Sequence, residues 1–284
     1  IARGVSGLIA VAYQILWTRM LTPFTGTFIY ALTAILAIYL FGLAFGSLLY
    51  HFLLAKSRRC VLWFAYSQIA VGACALFSLY VLSVPLPFSR HALALLVILP
   101  ATIGMGISFP AAIALLKQGV EHSGLIVSRA YFANTIGAIG GGFITSFLLV
   151  PFLGSSQSII WLALGNIFVA ALLMPWNLKR VGMMGALAGF IAALLIANPL
   201  YDHITAERIA RARAAHINFD FKEDQAGSVF AYGDPHEKAQ ELFVNSIPTT
   251  LKTVETKLMA HLPIALHPDP QRVLVIAFGM GTTF

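Results

Sequence analysis

Near the C-terminus, Gly279-Met-Gly281-Thr282-Thr283 follows four consecutive aliphatic residues, Val273 to Ile276. Such a run suits a strand buried on both faces, and a glycine turn after it lets backbone approach a ligand closely. Threonines opening the next helix would offer its first N–H groups to an anion. The chemistry this spacing fits is the holding of a nucleotide-like cofactor by Gly279, Gly281 and Thr282. A lone Gly-x-Gly is also an ordinary turn. A second set of polar residues stands in or beside apolar segments: Gln14, Arg19, Arg129, Tyr131 and Asn134. Polar groups at membrane depth are costly and mark function by default, although arginines near helix ends can snorkel. Tyr131 and Asn134 fall on one helical face, from which a hydrogen bond across to Gln14 is expected. That bond would be structural or part of a transport or lipid-substrate site.

The elements that must position these residues are of two kinds. Hydrophobic residues make up 59% of the 284 and charged residues 10%, against about 25% charged in a soluble domain. This is the composition of a membrane protein. Residues 1–200 carry ten Lys/Arg and one acid, Glu121, whereas residues 201–284 carry eight Lys/Arg and ten Asp/Glu. The positive charge therefore belongs to loops that orient helices and meet anionic lipid, and no basic stripe with interleaved aromatics points to nucleic acid. Cys60 and Cys74 have neither disulfide-framework nor metal-ligand spacing, and no metal site is expected.

About seven spans are predicted, at 4–22, 28–54, 61–84, 92–116, 130–153, 156–175 and 182–200, each near the 20 apolar residues a bilayer requires. The pairs Gly42/Gly46, Gly137/Gly141 and Gly185/Gly189 allow close helix approach. The loops with Lys56/Arg58/Arg59, Lys117/Arg129 and Lys179/Arg180 alternate with nearly uncharged ones, which places them in the cytoplasm. Residues 201–216 read as a juxtamembrane linker helix whose Arg208, Arg211 and Arg213 would meet lipid headgroups. Strands are expected at 218–222, 228–232 and 241–244, forming a small β-meander. A helix over 253–262, ended by Pro263, completes the 217–262 segment. Asn245 is a backbone-capping turn residue by type. His261, before a proline at a helix end, reads as a packing residue, and His267 and Asp269 read as loop residues.

This order, with several strings, resembles the bacterial membrane-fused spermidine synthase-like proteins. The strings are Tyr13-Gln-Ile-Leu-Trp-Thr-Arg19, Gly42-Leu-Ala-Phe-Gly-Ser47, Phe109-Pro-Ala111, Tyr131-Phe-Ala-Asn-Thr-Ile-Gly-Ala138, Leu148-Leu-Val-Pro-Phe-Leu-Gly154, Leu242-Phe-Val-Asn245, and the run from Met259 to Ile276. This chain has Gln14 where the family usually has Glu, and Ala277 at the first glycine of the turn. Between Asn245 and Lys252 it lacks the Asp-Gly and Gln that soluble spermidine synthases place around the polyamine. The resemblance implies a mainly α fold: a polytopic bundle, a small β-meander, and the first strand of a truncated Rossmann-like α/β domain beginning at 263. It also implies an adenosyl cofactor, decarboxylated S-adenosylmethionine or S-adenosylmethionine, at Gly279, Gly281 and Thr282, with Asn245 on the substrate side. The activity implied is aminopropyl or methyl transfer to an amine or membrane-associated substrate. The family's catalytic acid lies later than Phe284, so these 284 residues alone are expected to be inactive. The implied location is the bacterial inner membrane, with the C-terminal domain cytoplasmic. The alternative from another class is a transporter-like or scaffold membrane protein carrying a non-catalytic ligand-binding domain.

Overall fold

The computed structural model describes residues 2–26, 29–57, 59–117, 123–174, 181–182, 185, 189, 203–233, 240–251 and 253–274. The chain divides into two compact units, Ile1–His203 and Ile204–Phe284.

The first unit is a bundle of long apolar helices: α1 (Ala2–Thr25), α2 (Ile29–Leu49), α3 (Cys60–Ser83), α4 (Arg90–Lys117), α5 (Ser123–Ile144) and α6 (Val150–Leu173). Single π-helical turns at Tyr50–Leu54 and Thr145–Leu149 extend α2 and join α5 to α6. At 1.5 Å per residue a helix of 24 residues is about 36 Å long, enough to cross a hydrocarbon core of about 30 Å. Among the described residues five helical stretches are long and apolar enough to do so, and the fifth, Val127–Leu173, is 47 residues. Where about seven spans are expected, the described residues show these five candidate stretches.

That fifth stretch is twice the length one crossing needs, and it folds back on itself. Gly137 abuts Gly4 and Gly141 abuts Leu8, so α5 runs in the direction of α1. Val5 shares an apolar cluster with Val169, and Ile9 reaches Gly165, so α6 runs the opposite way. The reversal is at Gly154, whose φ of 75° and ψ of 169° interrupt the helix, a conformation open to a residue without Cβ. The predicted fifth and sixth spans are thus one apolar stretch broken at the start of the predicted punctuation. The predicted seventh, 182–200, lies almost wholly outside the described residues, as does most of the segment holding Gly185 and Gly189.

Glycines set the closest approaches. A Cβ on Gly46 would stand 2.1 Å from the Ile103 carbonyl oxygen, and one on Gly106 2.3 Å from that of Leu43. Only absent side chains let α2 and α4 meet backbone to backbone. The core runs through Ile9, Leu16 and Leu21 of α1, Val71 and Leu82 of α3, Ile98 of α4 and Ile159 of α6.

The second unit opens with α7 (His203–Ala214) and continues as β1 (Phe219–Glu223), β2 (Ser228–Tyr232), β3 (Glu241–Val244) and β4 (Ile247–Leu251), then α8 (Val254–Leu266). The strands pair antiparallel in the order β1-β2-β3-β4. The Asp224 carboxylate accepts the N–H groups of Ala226 and Gly227 at 2.8 and 3.1 Å and so shapes the first turn. Asn245 and Ser246, at φ 51° and 63°, form the turn between β3 and β4, the two-residue geometry whose twist matches that of the strands. Sequence reading found three strands; β4 contains Pro248, which a strand interior disfavours, and its pairing with β3 carries a register shift at Leu242/Phe243.

Three further expectations differ. Pro263 lies inside α8, which continues to Leu266; a proline ring costs one hydrogen bond, and in this exposed helix the freed carbonyl can meet water. Val273 and Leu274 are 62% and 85% exposed and belong to no strand, since among the described residues no strand edge pairs with them. No Rossmann fold is present among the described residues, and Gly279, Gly281 and Thr282 lie outside them. Of the three arginines expected at lipid headgroups, Arg208 stacks over the Phe243 ring at 4.0 Å and donates to the Ser246 carbonyl at 3.0 Å. A planar guanidinium finds both a π face and an acceptor there.

Candidate functional site

The polar side chains of the bundle meet in its interior. Tyr13 and Trp17, one turn apart on α1, are fully buried and stacked, with ring centroids 5.0 Å apart and planes 13° from parallel. Asn166 of α6 donates from Nδ2 to the Tyr13 hydroxyl at 3.2 Å, and the Trp17 indole N–H donates to Ser78 Oγ of α3 at 3.0 Å. Ser78 in turn donates to the Ala75 carbonyl at 2.6 Å. Tyr39 of α2 donates to the Ala10 carbonyl at 2.9 Å and lies 3.5 Å from the Met105 sulfur. These bonds tie α1 to α2, α3 and α6. In hydrocarbon an unmade hydrogen bond has no water to replace it, so each pair fixes which helices abut.

Among the described residues the buried polar side chains of the bundle include Ser67, Gln68, Thr102 and Ser108 besides those named, and none is Asp, Glu, Lys, Arg or His. Thr145 differs in its bonding from other threonines of the bundle. Thr18, Thr22 and Thr25 each donate to the carbonyl one turn back, and Thr102 does likewise. The Thr145 hydroxyl, fully buried in the π-helical turn, has no hydrogen-bond partner among the described residues. Replacing it with an isosteric apolar group removes a desolvated, unbonded hydroxyl, so Thr145→Val is expected to stabilise the bundle by about 1 kcal/mol. Thermal unfolding in detergent micelles reads this directly; a fall in the midpoint would show that the hydroxyl is engaged.

The structure does not gather the residues singled out from sequence. Asn134 packs over Gly7, where a Cβ would be 2.8 Å from its Oδ1. Gln14 stands seven residues farther along α1, about 10 Å beyond that contact. The expected hydrogen bond from Asn134 or Tyr131 to Gln14 is therefore not formed, because parallel helices keep residues at their own levels. Tyr131, 54% exposed, meets the Phe109 ring edge-on at 5.0 Å. Arg129 is exposed near the start of α5 and Arg19 half-buried near the end of α1. With Gly4 level with Gly137, the two arginines are about 35 Å apart along the bundle, so they cannot share a site.

What sequence reading missed was the Tyr13/Trp17 pair, although both lie in a segment it quoted. The available signal was their spacing of four residues, which puts two amphipathic aromatics on one helical face, together with an asparagine in mid-span at 166.

In the second unit, Asn245 Oδ1 accepts the Ser228 N–H at 3.0 Å while the Asn245 N–H donates to the Ser228 carbonyl at 2.7 Å. A Cβ on Gly227 would stand 2.7 Å from that Oδ1, so glycine is what admits the brace. Phe219, Phe230, Tyr232 and Phe243 form a ring ladder across the sheet. The Tyr232 hydroxyl donates to Glu241 Oε2 at 2.5 Å. That hydrogen bond to a carboxylate, aided by partial burial, pushes the Tyr232 phenol up to about 12. A pKa raised by folding means stability is intact below the unfolded value of about 10 and is lost as pH climbs from there towards the folded value. The sheet is expected to loosen over that window, and Tyr232→Phe to remove this component of the pH dependence, as read by circular dichroism against pH. His261 is exposed on α8, and the exposed His267 Nδ1 accepts the Asp269 N–H at 3.2 Å in the loop that follows. Among the described residues no cluster of His, Cys, Asp or Glu could hold a metal.

Comparison with protein-family models, with curated proteins and with solved structures finds no match to this chain.

Proposed function

We propose that the bundle is a membrane anchor and that the unit after it opens a transferase domain like that of membrane-fused spermidine synthase-like proteins. Such a domain would use decarboxylated S-adenosylmethionine or S-adenosylmethionine, held at Gly279, Gly281 and Thr282. Its acceptor would be an amine or a membrane-associated substrate facing Asn245. The observation that carries this reading is the order of elements: apolar helices, a four-stranded antiparallel meander and a helix, then an aliphatic run entering Gly279-Met-Gly281. The basic end of the bundle, with Lys56 and Arg59 between α2 and α3, is assigned to the cytoplasm. That compartment supplies adenosyl cofactors, and we place the C-terminal unit there too.

Anchoring is favoured over transport by the buried polar residues, which among the described residues include no Asp, Glu, Lys, Arg or His. Transport pathways concentrate such groups. The same observation keeps open a second reading, a static scaffold whose appended domain binds a ligand without catalysis.

Titrating the natural full-length protein in nanodiscs with both adenosyl compounds, and assaying group transfer to polyamines and to lipid extracts, separates the readings. Binding that Gly281→Val abolishes, together with transfer, supports the transferase. Binding without transfer supports the scaffold, and no binding of either compound removes the cofactor assignment.

A further inference from the structure

The start of α3 brings exposed cations and buried donors together. Five residues, Ala55 to Arg59, separate the π-helical turn Tyr50–Leu54 from Cys60, the first residue of α3. Lys56 and Arg59 are exposed there, and no side chain caps the 24-residue helix. Its first N–H groups and the positive end of its dipole therefore face the two cations' side of the loop. Two buried donors stand at the same place. Trp63 is one turn into α3, where helical side chains lean back towards the N-terminus, and its indole N–H is shielded from solvent and has no hydrogen-bond acceptor among the described residues. Tyr50 is 5% exposed and packs in the same cluster as Trp63. Among the described residues its hydroxyl has no oxygen or nitrogen partner, and the Cys60 thiol beside it is a weak one. An indole N–H can only donate, so what it lacks is an acceptor. Among the described residues of the bundle there is no Asp or Glu to compete for the cations.

We propose that this end of α3 binds a phosphate group. Lys56 and Arg59 supply the charge, the N–H groups of Cys60, Val61 and Leu62 the fixed dipole, and Trp63 Nε1 and the Tyr50 hydroxyl the buried donors. The site lies where an apolar helix of spanning length ends, at the depth of lipid headgroups. An anionic phospholipid presents its phosphate at that depth; a soluble phosphate offers the same oxygens.

The test is native mass spectrometry of the full chain released from nanodiscs of phosphatidylglycerol or of phosphatidylcholine, with inorganic phosphate as competitor. Retention of phosphatidylglycerol over phosphatidylcholine is expected, falling about tenfold or more in the Lys56→Gln/Arg59→Gln double variant through loss of two surface cations. Trp63→Phe, which keeps the ring and deletes only the donor, should weaken retention without changing the helical circular dichroism signal, and serves if the double variant does not fold. If neither lipid is preferred but inorganic phosphate protects the 55–63 segment from hydrogen exchange, the same site takes a soluble phosphate. Equal lipid retention with no phosphate protection, or retention indifferent to both variants, overturns the proposal.

Discussion

Gly137→Ala is expected to force α1 and α5 apart and to lower the stability of the bundle by about 3 kcal/mol or more, the upper range for overpacking. The added methyl would stand 1.9 Å from the Gly4 carbonyl oxygen, 2.7 Å from its carbon and 2.9 Å from its Cα. All three are backbone atoms, so no rotamer change relieves the clash and the helices themselves must move. Separating the helices forfeits the close backbone packing, which in hydrocarbon, where no hydrophobic effect draws helices together, is what holds them. The control lies on the same helix. A Cβ on Gly140 would meet nothing within 4 Å, so Gly140→Ala should be neutral or stabilise by up to about 1 kcal/mol through helix propensity. Denaturant unfolding of the two variants in one detergent decides the matter; equal midpoints would mean that α1 and α5 are not packed backbone to backbone.

That contact was partly legible in the sequence, and the reason it was only partly so is physical. The spacing of Gly137 and Gly141 announces that a helix can be approached closely, but it does not name the neighbour. Gly4 and Leu8 are more than a hundred residues away in the chain, and no local rule pairs them. Strands were easier, because alternation is a property of the strand itself: Phe219, Phe221 and Glu223 point to one face, and Asp224 to Gly227 marks the turn. Where the local rule and the tertiary context disagree, as at Pro248 in β4 or Pro263 in α8, the sequence argues for a break and the fold accommodates the proline. The Gly154 reversal stood between these cases. A glycine after a proline-containing apolar run reads as punctuation, yet the helical stretch on its two sides is continuous enough to count as one.

The polar interior was the least legible part. Reasoning by residue type favours the strongly polar side chains, and so Gln14, Arg19 and Asn134 stood out while Tyr13 and Trp17 read as apolar filling. Their partners are distant: 61 residues separate Trp17 from Ser78 and 153 separate Tyr13 from Asn166. A donor's importance in a membrane depends on whether an acceptor reaches it, and that is decided only when the helices are assembled. For the glycine turn at 279–281 the sequence remains the whole argument.

Trp17 offers the sharpest test of that interior, because packing and hydrogen bonding there can be separated. Trp17→Ala removes a fully buried ring stacked on Tyr13 and is expected to cost about 3–5 kcal/mol, the range for deleting a large core aromatic. Trp17→Phe keeps most of the ring and deletes the donor. Ser78 then loses an N–H that it accepted, but its own proton still goes to the Ala75 carbonyl at 2.6 Å, so no buried donor is stranded and the cost should stay near 1 kcal/mol. Ser78→Ala removes a single oxygen yet leaves the Trp17 indole N–H facing apolar neighbours with no acceptor. Its cost should reach about 1–3 kcal/mol, since stranding a buried donor is more expensive than deleting it. The expected order of destabilisation is therefore Trp17→Ala, then Ser78→Ala, then Trp17→Phe, even though Ser78→Ala deletes the fewest atoms. Unfolding midpoints in one detergent measure all three. If Trp17→Phe proved as costly as Ser78→Ala, ring volume would dominate, and the hydrogen bond from α1 to α3 would not be what selects α3 as its neighbour.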